Sequence, residues 1–132
     1  MRKREPVITD QADVDWEDWA DPANSSASAI RWKLLISRER SPSGGLVTGV
    51  AKIEPGAALS RHHHEPEETY YVLSGRGRIE IENTRQEIGP GTAIYIPPNA
   101  RHALRCTGAE PLVFIFTFPR DRFEDIVYHL DG

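Results

Sequence analysis

The chain has 132 residues and a formal charge of −4 at neutral pH; 39% of it is apolar and 27% charged, the balance of one soluble globular domain. An acidic chain without a concentrated basic patch argues against a nucleic-acid or anionic-membrane partner. No apolar run approaches the ~20 residues of a bilayer span, and the start MRKREPVITD lacks the apolar segment of a secretory leader. The single cysteine, Cys106, can form no internal disulfide, which suits a reducing compartment, and a cytoplasmic location is expected.

Residues 1–29 read as a peripheral, acidic arm. Trp16 and Trp19 are spaced to share one face of a helical turn. They belong either to a short turn in a loose arm or to a patch packed on the rest of the chain or on a partner subunit. Residues 30–132 read as one domain. Its predicted strands are IRWKLLIS (30–37), LVTGVAKI (46–53), ETYYVLSG (68–75), RIEIEN (78–83), TAIYIP (92–97), HALRC (102–106) and LVFIFTFP (112–119). Loops and turns such as ERSPSGG (39–45) and EPGA (54–57) separate them. Phe114, Phe116 and Phe118 stand at period two and share a face. FEDIVYHL (123–130) fits a helical turn or an edge strand. Short strands punctuated about every ten residues predict an all-β sandwich or small barrel.

Chemistry concentrates in RHHHEPEETYYVLSG, residues 61–75. On an extended strand His62 and His64 point one way and His63 the other. Pro66 bends the chain, and Glu68 can then swing back toward the histidines. His102 opens a strand after the PPNAR turn. Alone, the triplet could be a solvated turn. Three imidazoles and a carboxylate on converging strands instead make a mixed N/O site for a divalent transition metal: Fe, Zn, Mn, Ni, Co or Cu. Glu65 and Glu67 read as solvated, His129 as a surface residue, and Cys106 as a small buried filler. If Glu68 points inward, so do Tyr70 and Val72, while Tyr71 and Leu73 point out. Tyr70 is then a core tyrosine or a general acid–base. A free phenol, with pKa near ~10, is a poor base, but a neighbouring dication lowers that value.

The spacing is Gly56, five residues, His62, one, His64, three, Glu68, six, Gly75; then Gly91, five, Pro97, one, Asn99, two, His102. It resembles the two motifs of the cupin superfamily over roughly residues 46–118. Asn99 replaces a glycine, and Asn tolerates the left-handed conformation that turn needs. Cys106 replaces an asparagine that does not usually ligate metal. The resemblance implies a double-stranded β-helix (cupin, jelly-roll) barrel with His62, His64, Glu68 and His102 as metal ligands.

From about Ile30 to Tyr128, the strings GVAKIEPGA, HHHEPEETYYVLSGRG, IYIPPNARHAL and FPRDRFEDIVY are similar to small single-domain bacterial cupin lyases that cleave dimethylsulfoniopropionate. That likeness implies Tyr70 as the catalytic base and Tyr128 as a second catalytic tyrosine lining the site. The substrate would be a small carboxylate, split by β-elimination into dimethyl sulfide and acrylate. Trp32, Tyr95 and the phenylalanines of 114–118 are candidates for an aromatic wall against the sulfonium. Two other readings stay open: a different metal-dependent cupin enzyme, such as a dioxygenase or isomerase, and a non-catalytic binder of a small metabolite. A long apolar edge at IRWKLLIS would be a liability in a monomer, so a homodimer is expected.

Overall fold

The computed structural model of the protein describes residues 3–131. Eleven strands carry the fold: β1 Glu17–Asp18, β2 Ile30–Ile36, β3 Val47–Ile53, β4 Ala58–His63, β5 Glu68–Ser74, β6 Gly77–Ile81, β7 Thr84–Ile88, β8 Ala93–Ile96, β9 His102–Cys106, β10 Leu112–Phe118 and β11 His129–Leu130. Single 3-10 turns stand at Gln11–Asp13 and Phe123–Asp125, so the C-terminal stretch makes both a helical turn and an edge strand. No helix among the described residues is long and apolar enough to cross a membrane.

The strands form two antiparallel sheets, ordered β1-β2-β3-β10-β5-β8 and β11-β4-β9-β6-β7. The expected closed barrel is therefore not formed. Backbone ladders run within each sheet, and none joins β1 or β8 to β11 or β7. The reason lies in the connections. β3 leads to β4, β5 to β6 and β8 to β9, and each step carries the chain from one sheet to the other. Covalent turns, not hydrogen-bonded ladders, bridge the layers there, and the sheets pack face to face as an open sandwich.

Period two sets what faces inward. Phe114, Phe116 and Phe118 on β10 are buried on one face, opposite Val72 and Tyr70 of β5. Phe116 is paired with both Tyr70 and Gly49. A Cβ on Gly49 would lie 2.3 Å from the Phe116 ring, so only glycine lets that ring lie flat over β3. Asn99 takes φ 60°, the left-handed conformation its turn demands, and its N–H donates to His64 O at 2.9 Å.

The β2 edge expected to be unpaired is covered over only two of its seven residues. Trp32 and Arg31 pair with Glu17 and Asp18 of β1, so the chain's own N-terminal segment takes part of that edge. Trp16 and Trp19 do not share a helical face, because extended chain lies between them and an odd offset sends them to opposite sides. The Trp16 ring covers Lys33 Nζ and Lys52 Nζ, each 4.8 Å from its centroid, and Trp19 joins the inner cluster. At the other end, Phe123 N and Glu124 N donate to Glu39 at 2.8 and 3.1 Å. β11 then pairs with β4, His129 opposite His63 and Leu130 opposite His62.

Candidate metal centre

Two strand ends bring the histidines together. His62 lies on β4 directly opposite His102, the first residue of β9. His64 follows the end of β4. All three are buried, and one ring nitrogen from each lies within 4.8 Å of the others.

Each ring is aimed by a backbone carbonyl. His62 Nδ1–H donates to Ser60 O at 2.7 Å, His64 Nδ1–H to Pro66 O at 2.9 Å, and His102 Nδ1–H to Ala100 O at 2.9 Å. Fixing the hydrogen on Nδ1 leaves Nε2 with a free lone pair, as metal-bound histidines require. Nε2 of His62 and of His102 are buried and have no hydrogen-bond partner, an arrangement that costs stability unless a cation takes the lone pairs. Three converging Nε2 atoms with these aims are positioned to chelate a divalent metal ion.

Glu68 opens β5 and is buried beside them. Its Oε1 lies 3.1 Å from His64 Nε2 and 3.6 Å from His102 Nε2. With Nδ1–H already committed to Pro66 O, the contact of His64 Nε2 with Glu68 is satisfied either by a proton on Nε2 or by a metal cation held between the two acceptors. Burial raises the Glu68 carboxyl, but its contacts with His102 and His64 outweigh burial and hold it below the ordinary carboxylate range. Burial, with the neighbouring His102 adding to it, lowers His62 from 6.5 to about 4. It is therefore neutral, and able to ligate, at neutral pH.

The centre opens on a pocket of ≈ 50 Å³ lined at its polar end by His62, Glu68, Tyr70 and Tyr128. Burial, and then the Glu68 charge, push both phenols well above their usual value. Tyr128 lies close to the histidines, ring centroids 5.4 Å from His62 and 5.1 Å from His64. Trp19, Trp32, Phe114, Phe116 and Phe123 line the apolar walls. Of the wall residues suggested by sequence, Trp32, Phe114 and Phe116 are present. Phe118 instead packs against His64 at 5.2 Å. Tyr95 is 59% exposed, because its neighbours Ile94 and Ile96 take the inward positions of β8. Trp19 and Phe123 were missed. Their segments have no strand periodicity that could assign them a face.

The Cupin domain family matches residues 49–118, more than half of the chain. This protein is a cupin. It is 34% identical to dimethylsulfoniopropionate lyase DddW of Ruegeria pomeroyi over 123 residues, 93% of this chain and 78% of that protein. Among solved structures, the cupin fold superposes on the polyketide cyclase RemF of Streptomyces resistomycificus with a TM-score of 0.79 at 22% identity, covering 97% of this chain and 87% of that one. It also matches a chain from the crystal structures of the DMSP lyases RdDddP and RnDddQII, with a TM-score of 0.75 at 23% identity over 90% of this chain and 63% of that one. These two likenesses establish the fold alone.

Proposed function

We propose that this cupin is a metal-dependent carbon–sulfur lyase that converts dimethylsulfoniopropionate to dimethyl sulfide and acrylate. The observation that carries the reading is the two-ended pocket. One end offers His62 of the three-histidine cluster, a carboxylate and two phenols; the other offers aromatic rings and no counter-charge. A small molecule with a carboxylate at one end and an alkylated cation at the other matches both ends, since aromatic faces attract such cations. The similarity to DddW over most of the chain supports the same reading.

In this reading His62, His64 and His102 hold the metal and Glu68 completes the ligand set. When bound, the dication neutralises the substrate carboxylate, acidifies the adjacent carbon and lowers the proton affinity of nearby phenols. Tyr70, on the same inner row as Glu68, takes the proton from that carbon as phenolate. The electron pair released forms the carbon–carbon double bond, the carbon–sulfur bond breaks, and sulfur leaves with the bonding pair as neutral dimethyl sulfide. Tyr128 faces the same centre and acts as the second catalytic tyrosine, hydrogen-bonding the reacting carboxylate end. Buried walls exclude water, so the proton stays within the site. Residues 30–132 form the catalytic domain, and the arm of residues 1–29 contributes Trp19 to the wall. The test is headspace measurement of dimethyl sulfide from protein loaded in turn with Fe²⁺, Zn²⁺, Mn²⁺, Ni²⁺ and Co²⁺. Release above the metal-free control is expected, and none with any metal refutes the activity.

A further inference from the structure

His63, the middle histidine of the triplet, serves neither the metal site nor the pocket. It points away from the centre, and its Nδ1–H lies 3.1 Å from each carboxylate oxygen of Asp131, to which it donates. Its ring stacks on His129, with centroids 4.8 Å apart and planes 19° apart. Arg101 Nε stands 3.6 Å from Asp131 Oδ1, and Asp131 N donates to Arg61 O at 3.0 Å. Together these contacts clasp β11 onto β4.

The clasp matters because of what precedes it. Tyr128 is the residue immediately before β11, and its ring also packs on Trp19 at 4.9 Å. β11 has two residues, both exposed, so its ladder and apolar burial alone hold it weakly. The upstream end of the strap is fixed by Glu39 through the Phe123 and Glu124 amides. Ile126 anchors the middle of the strap in the core, and beyond Tyr128 the clasp reinforces the two-residue β11 ladder. We infer that His63 and Asp131 are positioning residues that act through β11 to keep the Tyr128 phenol over the three-histidine centre. The triplet then has two duties on two faces: His62 and His64 aim inward, and His63 ties the tyrosine to the same strand. This rests on the reading of Tyr128 as a catalytic residue.

The experiment reads the position of Tyr128 directly, by ring-proton NOEs from Tyr128 to His64 and Trp19 in zinc-loaded protein. Wild type shows both. His63→Ala and Asp131→Ala weaken them by more than about fivefold as the strap frays, with zinc content unchanged. His63→Gln, which keeps a donor toward Asp131, restores them. Asp131 lies outside the buried core, so its variant tests the idea even if His63→Ala fails to fold. NOEs of wild-type strength in Asp131→Ala overturn the inference. In parallel, kcat on dimethylsulfoniopropionate falls between about ten- and a hundredfold in the two alanine variants. Full turnover by Tyr128→Phe would refute the catalytic reading of Tyr128, while the NOEs would still decide whether the clasp positions it.

Discussion

Residues 49–118, the stretch matched by the cupin family, and the segments on either side build different halves of the same pocket. The matched stretch contributes His62, Glu68 and Tyr70, together with Phe114 and Phe116, and sets His64 and His102 beside His62. The flanks contribute Trp19, Trp32, Phe123 and Tyr128. The two halves are also held differently. β9 and β5 each lie between two neighbours in their sheets, so the ligand geometry is fixed by ladders on both sides. Trp19 follows the two-residue β1, Phe123 sits in a single 3-10 turn, and Tyr128 precedes the two-residue β11. A rigid metal end with a replaceable aromatic end is how one fold can host many substrates. It also means that mutations in the two halves should fail in different ways.

The largest effect is expected at the metal end. His102→Ala removes one of three aimed nitrogens and leaves Glu68 with one imidazole fewer. Metal content by mass spectrometry should fall from about one equivalent to below about a tenth, with turnover lost. Retention of a full equivalent would break the assignment of that half. Next is Tyr70→Phe, which deletes one oxygen from the inner row and leaves every candidate ligand in place. Metal content stays at wild type, while kcat drops between about 10²- and 10⁴-fold if Tyr70 is the base.

The same half carries a pH signature in metal-free protein. His62 titrates at about 4 when folded against 6.5 ordinarily, so the unfolded chain takes up its proton first as pH falls. Between 6.5 and 4 the unfolded state binds more protons, and stability declines through that window and levels off below it. The shift corresponds to at most about 3 kcal/mol, readable as the change in urea midpoint. Metal-loaded protein should begin its decline at lower pH, because protonation must first displace the metal. A flat profile in metal-free protein would mean that His62 is not held neutral by burial.

The two halves differ as much in legibility. His62, His64 and Glu68 could be placed from sequence because period two on a strand decides which side chains face inward, and one bend at Pro66 brings them back together. The Asn99 turn was legible because few side chains accept its backbone conformation. β7 was not: TRQEI is charged and exposed except at Ile88, and its turn runs through Glu82 at φ 50°, where no glycine marks it. The open edges of the two sheets were also hidden. Local pattern assigns strands and faces, but closure depends on which distant edges meet. Trp19 was illegible for a related reason, since pairing of β1 with β2 turns it inward and a two-residue strand has no period to read.

The smallest effect is therefore the one that isolates the aromatic half. Trp19 touches Tyr128 and Phe123, at 4.9 and 6.5 Å, and none of the candidate ligands hydrogen-bonds to it. Trp19→Leu keeps an apolar wall but removes one π face from around the proposed sulfonium position, a loss of about 1 kcal/mol with the other rings left in place. KM for dimethylsulfoniopropionate should rise roughly five- to tenfold, with metal content unchanged and kcat within about twofold. The neutral isostere 4-methylpentanoate has the same shape and no positive charge. As a competitive inhibitor it should lose no more than about twofold in affinity. Equal losses for the cation and the isostere would mean that Trp19 only fills space. A loss confined to the cation would place charge recognition in the flanks, outside the residues that the cupin family shares.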